Sequence, residues 1–455
     1  MKKVLLVSLA MDKFSYSAEG RFKFKYIQRR PLLGPLYIFS TIESRGIGCD
    51  FLDQSTDSFS VEDLINRINT NDYLFVGFYA QLLVKDKVIE YIKAIKEKCS
   101  KKNIVVGGPG YLCYEDFLNN GCDIVCRGEG ELTITEIMDY MQGKKRIEEV
   151  DGIVYKKNGV INYNKERELI NNLDSIPFPA WQKVDLGLYY DYSVLPMRKP
   201  FAPMITSRGC LFKCAFCSSP FLWKNIFRSR SVENVLKEID ILVAKQGIRY
   251  IIFQDDVFGI DNNWLREFCN SLISRRYRNL RWMCLLHPLT LKDDPYSLIK
   301  LMKKAGCNLF TFGLQSANSL LLKEIGRNPA EPKALKDIVK IANKFGIMTS
   351  VDFILGFPSE TKDTIRENIN FALDLQPHLV NFHPLRLEPG SELGKLNKKC
   401  FFSEEELLKL CYRANREFYF KFRNIIRITM FIFRENIFIF FKIAKLFAVS
   451  RYHLK

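Results

Sequence analysis

The chain has 455 residues, 47% hydrophobic and 26% charged, a balance that gives globular domains and room for two or three cores rather than a disordered or fibrous polymer. Its 13 cysteines are odd in number, which argues against a disulfide framework and for a reducing, cytoplasmic setting. The net charge of +17 does not mark a nucleic-acid groove, because residues 407–455 alone hold 11 Lys and Arg against two Glu, so no specific nucleic-acid partner is expected.

The opening Met-Lys-Lys-Val-Leu-Leu-Val-Ser-Leu-Ala has a short apolar run, soon followed by Asp12 and Lys13. It reads as a first buried strand, Val4–Leu9, and not as a leader. Further strands are expected at Cys49–Leu52 (the weakest), Tyr73–Phe78, Ile104–Val106 and Ile124–Cys126. Helical spacing falls between them, at Leu36–Ser44, Val61–Ile68, Val84–Lys98 and Leu132–Met141. Strands alternating with helices predict a doubly wound, Rossmann-like α/β domain over residues 1–142. Ligands of such domains sit beyond the carboxyl ends of the strands. Two glycine loops stand there: Val106-Gly107-Gly108-Pro109-Gly110 and Arg127-Gly128-Glu129-Gly130-Glu131. Glycines at strand ends let a flat ligand or a phosphate approach the backbone, although many such loops are only turns.

Residues 143–199 read as a connector. A hairpin is expected around Asn158-Gly159, followed by a proline-broken stretch, Leu173–Trp181, suited to a clamp between domains. Alternation then resumes. Strands are expected at Met204–Thr206, Tyr250–Gln254, Arg281–Leu286, Leu309–Phe312, Thr349–Leu355 and Leu379–Pro384. The helices between them are Val232–Lys245, Trp264–Arg275, Tyr296–Ala305, Pro332–Phe345 and Ile365–Asp374. Six repeats predict a partial (β/α)6 barrel over 200–395, with its chemistry at the carboxyl ends of the strands. Residues 396–455 form a basic, aromatic tail. Its segment Ile425–Val449 has no run of 18 uncharged apolar residues, too little for a membrane span. It reads as helices packed on the barrel, with an interfacial helix on anionic lipid as the alternative.

The strongest chemical signal follows the first barrel strand: Cys210-Leu-Phe-Lys-Cys214-Ala-Phe-Cys217. Three thiolates at C-x3-C-x2-C spacing can hold three irons of a 4Fe–4S cubane and leave the fourth iron open. A structural zinc site wants a fourth ligand, and the next cysteine is Cys269, with His287 further still. With the aromatic Phe216 before the last cysteine, this loop resembles that of the radical S-adenosylmethionine (SAM) superfamily. The resemblance implies that Cys210, Cys214 and Cys217 bind the cluster. SAM would chelate the open iron and be cleaved reductively to a 5′-deoxyadenosyl radical.

Three further segments fit the same family, in order. Gln254-Asp255-Asp256 stands where the family grips the SAM amino group. Gly313-Leu-Gln315-Ser316 stands where a Gly-x-Glu-Ser is frequent, with Gln315 in place of the acid, and the resemblance implies that Gln315 and Ser316 bind SAM, the Gln315 amide at a ribose hydroxyl or the carboxylate. Gly356-Phe-Pro-Ser-Glu360-Thr361 resembles a family signature in which Gly356 lies against the adenine, near Phe216. Glu360 and Thr361 read as caps of the following helix. Residues 1–142 resemble the cobalamin-binding domain that precedes the barrel in one subfamily, which implies a corrinoid near Gly107, Gly108, Pro109, Gly128 and Glu129. No histidine precedes His287, so this domain offers the corrinoid no axial imidazole.

The resemblance implies a cobalamin-dependent methyltransferase acting on an unactivated carbon of a small-molecule or lipid-like substrate, fed by a low-potential donor such as flavodoxin or ferredoxin. A cyclase or rearranging enzyme with the same domains is the first alternative, and a cobalamin-binding sensor or scaffold the second. No catalytic side chain is assigned. His287 and His378 read as structural, and His383 as a barrel residue that could face the substrate.

Overall fold

A computed structural model describes residues 2–10, 28–191, 198–291, 293–396 and 400–435. These fall into two compact units, one of 2–10, 28–191 and 228–246, the other of 198–227 and 247–435.

The first unit is built on a seven-stranded sheet. Its strands are β1 (Lys3–Ser8), β2 (Cys49–Asp53), β3 (Tyr73–Tyr79), β4 (Ile104–Gly107), β5 (Ile124–Cys126), β6 (Ile153–Lys157) and β7 (Val160–Tyr163), in the order β2-β1-β3-β4-β5-β6-β7. The first five are parallel. Central β1 and β3 are buried almost throughout, as parallel strands covered on both faces must be. Edge strand β2 is half-buried, which is why its hydrophobic pattern was the faintest. The helices are α1 (Leu33–Ser44), α2 (Val61–Thr70), α3 (Lys85–Lys98), α4 (Tyr114–Asn119) and α5 (Gly130–Met141). Six-residue α4 is too short to leave a periodic trace.

The expected hairpin is β6–β7, turned by Asn158 at φ 51° and Gly159 at φ 80°, as a type I′ turn requires. It is no free connector, since β6 pairs antiparallel with β5 and extends the sheet. The helix over Val232–Gln246 belongs to this unit too, although the sequence pattern assigns it to the barrel. Its Glu238 accepts a hydrogen bond from the Trp181 indole at 2.9 Å and pairs with Arg230 at 2.6 Å, both buried. The proline-broken stretch therefore clamps this helix.

The second unit carries a six-stranded, all-parallel sheet in chain order: β8 (Phe201–Met204), β9 (Tyr250–Phe253), β10 (Arg281–Leu286), β11 (Cys307–Gln315), β12 (Met348–Leu355) and β13 (Leu379–Pro384). Each strand pairs only with its chain neighbours among the described residues, which is a partial barrel. Strand β8 ends before Thr206, two residues short of the expected end. Strand β11 runs three residues past its expected end, to Gln315, through a register shift between Gly313 and Gln315.

Two C-terminal helices complete the unit. The helix Glu404–Tyr419 is opened by a Ser403/Glu406 capping box. It covers the outer edge of β13: Asn415 Nδ2 donates to Phe382 O at 3.0 Å, Asn415 Oδ1 accepts from Phe382 N at 3.1 Å, and the Tyr419 hydroxyl engages both N and O of Val380. The last strand thereby exposes no free ladder. In the helix Phe422–Glu435, Arg427 donates to the carbonyls of Gln376 and Pro377, which follow the barrel helix Lys362–Leu375. The tail thus docks on the barrel through Arg427, and its expected continuation past Glu435 lies outside the described residues. No described helix is long and apolar enough to cross a membrane.

Candidate active site

The cysteine loop lies beyond the carboxyl end of β8. Cys210 and Cys214 are buried and Cys217 half-buried. Burial, then the charges of Asp256 and the neighbouring thiols, pushes Cys210 up to about 12. Burial likewise pushes Cys217 to about 11. The loop alone therefore holds thiols, and a metal would displace their protons. No three described Cys, His, Asp or Glu side chains gather around the position of one ion.

Ser219 ties this loop to the acidic pair after β9. Its backbone N–H donates to Cys217 Sγ at 3.3 Å and its hydroxyl to Asp256 Oδ2 at 3.1 Å. Asp255 is buried and accepts at Oδ1 from Thr206 N at 2.9 Å, Thr206 Oγ1 at 2.8 Å and Ser207 Oγ at 2.5 Å. Its Oδ2 has no partner. Burial raises its pKa to about 6 in spite of those donors. The two carboxylates thus differ: Asp255 keeps one bare oxygen, whereas Asp256 holds the loop.

Gln315, at the end of β11, also has an unpartnered buried oxygen, Oε1. It is held at φ 71°, a left-handed conformation that costs a glutamine about 1–3 kcal/mol unless its surroundings enforce it. Gly313 leaves room for its amide: a Cβ there would lie 2.4 Å from Gln315 Nε2. Two bare acceptors at strand ends are what a ligand rich in N–H and O–H donors would satisfy. This geometry fits SAM, which brings an ammonium and ribose hydroxyls.

Ser316 is fully buried, and its hydroxyl donates to Asn368 Oδ1 at 3.1 Å and accepts from Asn318 N at 3.1 Å. It is occupied in holding its own loop. Phe216 packs on Phe357 with ring centroids 5.8 Å apart, so the structure brings it beside Gly356. Gly356 sits at φ 107°, and a Cβ there would meet Leu407 at 2.7 Å. Thr361 caps its helix as expected. Glu360 does not: it turns back to accept from Gly356 N. His383 is exposed near the end of β13. His287 and His378 are buried.

In the first unit, the carboxyl ends of four adjacent strands align Asp53, Ser8, Tyr79 and Gly107 in one row. Strand β1 is the switch point of the topology, where a doubly wound sheet binds its ligand. Ser8 Oγ is buried there without a partner. Asp53 accepts from the Tyr189 hydroxyl at 2.7 Å. Gly108, at φ 94°, lies against Tyr79 and Ala80 O, where a Cβ would come within 2.8 Å of each. Pro109 follows at the start of a 3-10 turn. Gly128 has open space around it. Glu129 is engaged elsewhere, buried in a 2.8 Å ion pair with Arg228. Ser8 and Tyr79 went unnoticed in the sequence, where only their place at strand ends could have marked them.

A family model of the radical SAM superfamily matches residues 204–372. Residues 204–372 thus form a radical SAM domain. A second model, the B12 binding domain, matches residues 31–138, so both expected domains are present. The chain is 29% identical to an uncharacterized methyltransferase of Pyrococcus horikoshii, over 87% of this chain and 89% of the relative. It is 28% identical to an anaerobic magnesium-protoporphyrin IX monomethyl ester cyclase of Rubrivivax gelatinosus, over 75% of this chain and 62% of the relative. The fold is shared with the radical SAM methyltransferase TsrM from Kitasatospora setae, solved with cobalamin and a [4Fe-4S] cluster. The TM-score is 0.69 at 18% identity, covering 87% of this chain and 74% of that one. It is shared too with the cobalamin-dependent SAM radical enzyme OxsB, with a TM-score of 0.68 at 19% identity, covering 90% of this chain and 56% of that one. The protein is therefore a radical SAM enzyme, with the α/β architecture and partial barrel expected from its sequence.

Proposed function

We propose that the protein is a cobalamin-dependent radical SAM methyltransferase that methylates an unactivated carbon of a small molecule. Bound at these sites, the cluster with SAM would supply radical chemistry and the corrinoid a transferable methyl group. Cys210, Cys214 and Cys217 would hold the cluster. Asp255 Oδ2 would accept from the SAM ammonium, Gln315 Oε1 from a SAM donor, and Phe216 and Gly356 would border the adenine. Ser8, with the backbone around Gly107 and Gly108, would meet the corrinoid. The observation that carries this reading is the unpartnered Asp255 Oδ2, whose neighbour Asp256 is tied by Ser219 to the C-x3-C-x2-C loop, with a second unpartnered acceptor, Gln315 Oε1, at the end of a strand of the same sheet. The relatives named methyltransferases favour methyl transfer.

The test is anaerobic reconstitution with iron, sulfide and cobalamin, followed by SAM turnover with a low-potential donor such as flavodoxin. S-adenosylhomocysteine formed beside 5′-deoxyadenosine supports methyl transfer. The match to the cyclases favours a second reading, ring closure, for which 5′-deoxyadenosine alone is expected. Failure to cleave SAM at all rejects both.

A further inference from the structure

The strand–helix segment after β11 sends a buried charge to the cysteine loop. Ala215 N donates to Ile325 O at 3.0 Å, which joins the loop to the end of the helix Ser319–Glu324. Gly326 follows at φ 73°, and a Cβ on it would lie 2.5 Å from Lys213 O. The backbone contact is therefore tight enough to require glycine. The next residue, Arg327, points at the loop. Its Nη1 lies 3.9 Å from Cys214 Sγ. Behind it, Arg327 Nε donates to Glu331 Oε2 at 2.8 Å, and both side chains are at most 5% exposed. His287 Nδ1 accepts from Leu289 N at 3.2 Å, so its proton resides on Nε2. That nitrogen lies 3.4 Å from Glu331 Oε1. The His287 ring stacks on Phe212, between the first two cysteines, at 3.5 Å between centroids.

The geometry points to Arg327 and Glu331 as a charge pair that sets the reduction potential of the cluster. The inference rests on the cluster assignment of Cys210, Cys214 and Cys217. Hydrogen bonds to cluster sulfurs, net charge and exposure are what the protein uses to tune such a potential. A cluster that gains one electron from a donor gains negative charge. A buried guanidinium at a ligand sulfur stabilises that state, and a buried carboxylate behind it opposes it. With both present the charges offset, and Arg327 remains the nearer. Arg327 and Glu331 are thus positioning residues that act through Cys214 rather than on substrate.

The two charges make predictions of opposite sign. In the full-length protein, reconstituted with iron and sulfide, the midpoint potential is read by dithionite titration followed by electron paramagnetic resonance. Arg327→Gln is expected to lower the potential, because it removes the donor and leaves Glu331 uncompensated. Glu331→Gln is expected to raise it. A tenfold change in the one-electron equilibrium, about 59 mV, is the size looked for in each case. Arg327→Lys keeps the charge and should remain nearer the parent. If Arg327→Gln fails to load, Glu331→Gln alone decides the sign. The inference is overturned if variants with the parent's iron and sulfide content show unchanged potentials, or shifts of the same sign. A parent chain that takes up no cluster overturns this inference and the proposed function together, whereas unshifted potentials leave the proposed function standing.

Discussion

Asp255 divides its two oxygens between unequal tasks. One gathers three donors from Thr206 and Ser207, and the other has none. A bare buried carboxylate oxygen is costly, and a ligand ammonium would remove that cost. Asp255→Asn is expected to weaken SAM binding roughly 10- to 100-fold, the worth of a charged hydrogen bond of about 1.5–3 kcal/mol. Equilibrium binding to the reconstituted protein measures this, and unchanged affinity would reject the role. The cysteines could be read from their spacing, because the cluster constrains residues close in sequence. The orphaned oxygens could not, since pairing depends on Thr206 and Ser207, some 50 positions away. Ser316 shows the converse: a family position can be occupied by a local partner, here Asn368. Buried His378 carries a separate prediction. Burial, with the Arg427 charge, pushes its pKa from 6.5 down to about 4. The native ring resists protonation, so its stabilising effect is complete above pH 6.5 and is lost as pH falls towards 4. At pH 5 this loss is about 2 kcal/mol. Urea denaturation at pH 7 and pH 5 should show a shallower pH dependence in His378→Gln than in the parent; equal slopes would exclude the assignment.

At the scale of elements, strand–helix alternation was legible to within about three residues at each end, because buried parallel strands and amphipathic helices carry different periods. What escaped was irregular: the extension of β11 to a left-handed Gln315, the short α4, and the cover over β13. The Gly107–Gly110 loop joins element to ligand. Gly108→Ala would force a side chain onto Ala80 O and Tyr79 at φ 94°, and should destabilise the first unit by more than about 1 kcal/mol. Corrinoid uptake should fall with it. Thermal unfolding and cobalamin absorbance after reconstitution check both; a variant as stable as the parent would mean the loop is roomier than described. The cover over β13 is testable in the same way. Asn415→Leu removes both hydrogen bonds to Phe382 and leaves its N–H and C=O to compete for water. A cost of about 1–3 kcal/mol to the barrel unit is expected, read by denaturant unfolding.

At the scale of the whole molecule, the sequence placed two domains with a connector between them, but not how the chain shares its segments. A periodic pattern reports that a helix face is buried and says nothing of its partner. Helix Val232–Gln246 has the period of a barrel helix, yet its Glu238 closes on Trp181 and Arg230. A fragment ending at Asp191 would lack that helix and Arg228, leaving Trp181 uncovered and Glu129 without its ion pair. It is expected to melt well below a fragment running to Gln246, or not to fold at all; equal melting would show that the helix is dispensable.

The same interleaving sets a sequence of events during translation. The three cluster cysteines leave the ribosome before the α/β unit has received its final helix, and long before β13 can close the barrel sheet. The groups that surround the cysteine loop, Asp256, Ile325 and Arg327, all follow it in the chain. Thiols loaded with iron before those residues emerge would sit on a loop that still has no walls.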